Sequence, residues 1–96
     1  MNKILALRLL SEHKSILMEC FGVIRIALSG SVAINQARAD SDVDILVAFD
    51  GPATADQYFN TQFYLEDIIG CPVDLVTEKA LRPELKPYVK QEALYV

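Results

Sequence analysis

The sequence predicts an α+β chain, with a small mixed β-sheet and helices packed mainly on one face. Three short apolar runs rich in β-formers, at 23–28, 42–49 and 73–76, have the length of strands. Longer stretches between them carry apolar residues near helical spacing. Gly, Asp and Pro punctuate the joins. Alternating strands and helices of this kind bury their apolar faces by layering helices on a sheet.

In chain order, Met1 to about Cys20 reads as a helix. Ile4, Leu5, Leu9, Ile16 and Leu17 recur near helical spacing, Leu7 and Leu10 widen that face, and Gly22 can end it. His13, between Glu12 and Lys14, is expected to be solvated. Val23 to Leu28 is the first strand, with Arg25 its one charged member, and 31–37 is a short helix returned to the sheet by Arg38 to Ser41. Asp42 to Phe49 is the second strand, closed by the turn Asp50-Gly51-Pro52. Thr54 to Ile69 is a helix supplied with Phe59, Phe63, Leu65 and Ile69 and stopped by Gly70. Tyr58, Phe59, Phe63 and Tyr64 read as core and interface. Val73 to Val76 is the third strand. Lys79 to Leu94 is expected to be helix broken or restarted at Pro87, because an interior Pro removes a backbone bond. Ala93 to Val96 either adds an edge strand or frays.

Ninety-six residues fit one domain, 1–96. An apolar content of 52% fills a core and leaves surface for a partner. A net charge of −4 argues against nucleic-acid binding through a broad basic face. Cys20 and Cys71 make no disulfide or zinc framework, which points to a reducing cytoplasm. The charged residues Arg8, Glu12 and Lys14 interrupt the N-terminal apolar stretch, so neither a signal peptide nor a membrane span is expected.

The chemistry gathers around Leu28-Ser29-Gly30-Ser31, ten further residues, and Asp42-Val43-Asp44. On a strand, Asp42 and Asp44 share one face with Cα atoms about 6.6 Å apart, within reach of a divalent cation or a pair of them. The Gly-Ser corner offers bare N–H groups and a hydroxyl to a phosphate. An EF-hand starting at Asp40 fails, with Ile45 where Gly is needed and Gly51 where Glu is needed. Asp74, flanked by the core-facing Val73 and Leu75, joins the pair if its strand lies beside the second; otherwise it is an exposed strand residue. Arg38 either neutralises a phosphate or is an ordinary surface cation. Phosphate grip with metal-binding carboxylates indicates phosphoryl or nucleotidyl transfer.

Gly-Ser, ten residues, then Asp-x-Asp resembles the signature of the nucleotidyltransferase superfamily with the DNA polymerase β fold. The string from Gly30 to Val47 is similar to the minimal nucleotidyltransferases, as is Val73-Asp74-Leu75-Val76-Thr77 followed by Ala80-Leu81-Arg82-Pro83-Glu84-Leu85. The likeness runs from about Ile24 to Val96. It implies the polymerase β-like fold and an antitoxin of the HEPN/MNT kind, which transfers AMP from ATP to a tyrosine hydroxyl of a HEPN ribonuclease toxin with Mg²⁺. Asp42, Asp44 and Asp74 would be the catalytic and metal-binding residues, Asp74 also taking the proton. Gly30, Ser31 and Arg38 would hold the nucleotide. The implied partners are the toxin, in a hetero-oligomer, and ATP, with no direct contact to nucleic acid or membrane. The chain departs from the family at Val32 and Ile34, where polar residues are common, and at Asn35, which stands in place of a Gly. These departures keep open an antitoxin that neutralises its toxin by binding alone. Modification of a small molecule ranks last, because the chain leaves little room for a second substrate domain.

Overall fold

A computed structural model of the chain describes residues 2–33 and 42–96. The elements are α1 (Lys3–Phe21), β1 (Val23–Ser29), α2 (Gly30–Ala33), β2 (Val43–Phe49), α3 (Ala55–Ile69), β3 (Val73–Thr77), a 3₁₀ turn (Glu78–Ala80), α4 (Lys86–Glu92) and β4 (Leu94–Tyr95). The strands form one mixed sheet in the order β3-β2-β1-β4. β1 runs antiparallel to both β2 and β4, whereas β3 lies parallel to β2. A parallel neighbour needs a crossover, and α3 supplies it. The expected short helix covers α2 only as far as Ala33; its continuation to 37 and the return over Arg38–Ser41 lie outside the described residues.

α1 and α3 cover one face. α1 starts at Asn2, whose side chain accepts the Leu5 N–H at 2.8 Å, and stops at Gly22 in the left-handed conformation. Its buried stripe is Ala6, Leu10 and Leu17; of the expected face, Leu10 and Leu17 lie in this stripe and Leu7 and Leu9 pack beside it, whereas Ile4 and Ile16 are exposed. The N-terminal half of α1 is apolar nearly all round, so spacing alone could not choose the face. His13 completes the true stripe and is not free in solvent. Its Nδ1 lies 2.7 Å from the Tyr64 hydroxyl, joining α1 to α3. Two polar groups that meet on an apolar stripe satisfy each other.

Thr54 and Gln57 form a capping box at the start of α3, and Gln57 Nε2 donates to the Phe21 carbonyl at 2.8 Å. Beneath the helices lie Ile26, Leu28, Ile45, Val47, Val73 and Leu75. α3 also covers the free edge of β3. The Tyr58 hydroxyl donates to the Leu75 carbonyl, Gln62 donates to the Val73 carbonyl at 3.2 Å, and Glu66 accepts the Val73 N–H at 3.1 Å. An edge so occupied is closed to further strands.

The opposite face carries a smaller core of Ala27, Leu46 and Ala93, with Val76, Leu81 and Val89 packed against it. α4 lies on this face, so the helices are mainly but not wholly on one side. The helix expected from Lys79 is instead a 3₁₀ turn and a turn before α4, which begins with Pro87 in its first turn. Pro83 disfavours helix at Arg82, whereas a first-turn Pro lacks only an N–H that would go unpaired anyway. β4 pairs Leu94 with Leu28 and Tyr95 with Ala27, as an edge strand. Among the described residues no helix is long and apolar enough to cross a membrane.

Candidate active site at the carboxylate end of the sheet

Ser29, the last residue of β1, lies opposite Asp44 on β2, and Asp44 lies beside Asp74 on β3. One register line therefore crosses three strands as Ser29, Asp44, Asp74. Val43, Ile45, Val73 and Leu75 point into the core, so alternation sends both carboxylates to the opposite face. Asp42 sits immediately before β2 and is exposed.

Gly30 closes the corner. Its φ is +68°, and a Cβ there would stand 1.9 Å from Asp44 Oδ2. Backbone conformation and close approach both demand glycine at this position. The Ser29 hydroxyl donates to the Asp44 carbonyl at 3.4 Å, holding the end of β1 to the start of β2. Ser31 follows Gly30 in α2, and Arg38 lies outside the described residues.

The electrostatics show how close the acids stand. Asp44 is held above the usual carboxylate range, first by burial, then by the charge of Asp74 and a hydrogen bond with it, and last by the charge of Asp42. Crowded acids of this kind are relieved by a cation. Among the described residues, no three His, Cys, Asp or Glu side chains stand ready-made around one point. The set suits Mg²⁺, which binds through one or two carboxylates and takes its other oxygens from phosphate and water.

A cavity of about 270 Å³ opens beside the acids. Ser29, Gly30 and Asp44 form its polar end, and Leu46, Val76, Leu81 and Val89 form an apolar wall, with Glu92 of α4 beside them. The sequence does not show this wall. Leu81 and Val89 are visible there as apolar residues, but nothing local tells that their segment folds back across the sheet.

Residues 10–96 match the family model described as a nucleotidyltransferase domain. A protein of Thermococcus cleftensis named protein adenylyltransferase MntA is 39% identical over 88 residues, which cover 92% of this chain and 89% of that one. A solved structure described as a minimal nucleotidyltransferase is 37% identical, with a TM-score of 0.83, and the match covers 98% of this chain and 95% of that one. A Shewanella oneidensis complex of an MNT antitoxin with a tri-AMPylated HEPN toxin shares the fold at 19% identity. Its TM-score is 0.59, over 98% of this chain and 67% of that one.

Proposed function

This chain belongs to the nucleotidyltransferase domain family, and from that membership we propose that it is an antitoxin transferring AMP from ATP to a tyrosine hydroxyl of a HEPN-type toxin. The observation that carries the reading is the line from Ser29 through Asp44 to Asp74, with Gly30 packed on the Asp44 carboxylate. The names of the Thermococcus and Shewanella proteins support it, one as a protein adenylyltransferase and the other as an antitoxin in complex with an AMPylated toxin.

Asp42, Asp44 and Asp74 are the residues that would hold Mg²⁺. When bound, the metal neutralises the acids and stabilises charge on the phosphoryl group in transfer. Gly30 and Ser31 anchor the triphosphate, and Arg38 is assigned to a neighbouring phosphate. The apolar wall of Leu46, Val76, Leu81 and Val89 takes the nucleoside. The acceptor oxygen bonds to the α-phosphorus while the bond from that phosphorus to the bridging oxygen breaks, and pyrophosphate leaves. Asp74 takes the hydroxyl proton. Most of the acceleration comes from positioning and charge.

The test is intact mass of a purified HEPN-type toxin that binds this chain, after incubation with the chain, ATP and Mg²⁺. The toxin should gain mass in AMP units, and Asp42→Asn or Asp44→Asn should slow the gain by about 10²-fold or more. Full turnover in either variant would remove these residues from the site. A toxin inhibited without mass gain would establish the binding-only antitoxin instead.

A further inference from the structure

At the other end of β2, about 13 Å along the strand from Asp44, lies a second groove of about 570 Å³. Its floor is apolar, made by Ile24, Phe49, Tyr58 and Phe59. Ile24 is 42% exposed and Phe59 50%. The register slips between Val23 and Arg25, which leaves Ile24 as an extra residue, and β4 pairs only as far along β1 as Ala27. The apolar patch continues along α3 to Phe63, 61% exposed, whose ring stacks on Phe59 at 6.4 Å. A contiguous exposed patch of this kind marks an interaction site more often than a scattered residue does.

The rim carries two cations and one anion. Arg25 and Lys79 both line the groove. Glu78 lines it too, but its two oxygens are engaged, Oε2 by Arg25 and Oε1 by Lys90, each at 3.0 Å. Asp50 and Asp56 lie nearby in sequence without lining the groove. In a chain of net charge −4, the lining of this groove is therefore net positive by one charge, and Lys79 is the cation that Glu78 does not engage. Its volume is that of a ligand pocket rather than an ion site. With Arg25 committed to Glu78, it lacks the cations a polyphosphate requires. An apolar floor beside one uncommitted lysine matches a polypeptide that presents large apolar side chains next to a carboxylate.

We propose that this groove docks an acidic, apolar-anchored segment of the protein that accepts the nucleotidyl group. The identity of that partner rests on the transferase reading above; the docking chemistry does not. Holding the acceptor at a remote surface makes delivery of its tyrosine to Asp74 an intramolecular event with a high effective concentration. Choice of acceptor then comes from the groove rather than from the small nucleotide cleft.

The test uses Phe59→Ser and Lys79→Glu, both at exposed positions, with a purified HEPN-type toxin as the probe. Phe59→Ser should raise KM for that acceptor by roughly 30-fold, the loss typical of an interface hot spot. Lys79→Glu should raise it several-fold in a salt-dependent way. kcat at saturating acceptor and ATP binding by thermal shift should stay at wild-type values. Wild-type acceptor affinity in both variants overturns the proposal, as does an equal loss of ATP binding. So does a wild-type dimer that Phe59→Ser converts to a monomer, since a second copy would then be the occupant. If wild type binds the acceptor without transferring AMP and Phe59→Ser loses that binding, the docking site stands and the transferase reading falls.

Discussion

Replacing Asp44 by Asn should stabilise the metal-free protein while abolishing transfer. Asp44 and Asp74 are neighbours on adjacent parallel strands. Burial, then Asp74, then Asp42 hold the Asp44 carboxyl above its ordinary value of 3.8. The folded state thus keeps this proton more tightly than the unfolded chain does. That preference favours the fold fully below the unfolded value and is lost as pH rises through the folded one. At neutral pH the ionised pair is a net cost. Like charges directly across two strands cost up to about 1 kcal/mol, and partial burial keeps this pair from being fully screened. Asn keeps the shape and removes the charge, so the gain should be about 0.5–1 kcal/mol, or roughly 2–8 °C in Tm for a chain of this size. The assay is thermal melting of both proteins in EDTA, at about pH 7 and again at about pH 3.5, where Asp44 is largely protonated in either state. The gain should be present at the first and nearly absent at the second. Mg²⁺ should narrow it by stabilising wild type alone. An Asn variant that melts below wild type in EDTA at neutral pH, or a gain unchanged in acid, would refute the reasoning.

Two further predictions concern neighbouring features. Gly30→Ala sets a Cβ against Asp44 Oδ2 at a residue whose φ is +68°, so denaturant melts should show a loss of about 1–3 kcal/mol. Adding Asp44→Ala should recover part of that loss, because the clashing partner is gone. Glu78 is pushed up by burial, but hydrogen bonds from Arg25 and Lys90 and their charges outweigh it and leave the pKa below the ordinary 4.5. Its stabilisation is present above the unfolded value and lost as pH falls through the folded one. Glu78→Gln should therefore destabilise by about 1–2 kcal/mol at neutral pH, with the gap to wild type closing in acid.

Much of the candidate site was legible because it is local. Asp42 and Asp44 share a strand end by simple alternation, and a glycine ending an apolar run marks a corner. The extents of β1, β2 and α3 were also readable, since Gly22, Gly51 and Gly70 bound them and Thr54 sits where a cap belongs. Pairing was not. The sequence placed Asp74 on the polar side of a strand but did not say which strand lies beside it. The parallel register that sets it next to Asp44 depends on how α3 packs, through Gln57 on the Phe21 carbonyl and Tyr58 on Leu75.

The same limit explains the two places where the structure departs from the sequence pattern. On α1 the expected face holds the buried Leu10 and Leu17 but also the exposed Ile4 and Ile16, because six of the seven residues from Ile4 to Leu10 are apolar, Arg8 being the exception, so several faces look alike to a periodicity. What selects the face is tertiary: the Tyr64 hydroxyl gives His13 a partner, and a polar residue with a partner can sit on the inner stripe. For the segment after β3, the expected restart of helix at Pro87 matches the start of α4, but the stretch expected as helix from Lys79 is a 3₁₀ turn followed by a turn. These turns let α4 lie on the otherwise open face of the sheet, where Val89 joins Leu46 and Val76 in the wall of the cleft. The acids are legible in the sequence because each sits on or beside a single strand. The surfaces that would choose a nucleotide and an acceptor are not, because each is assembled from elements distant in sequence.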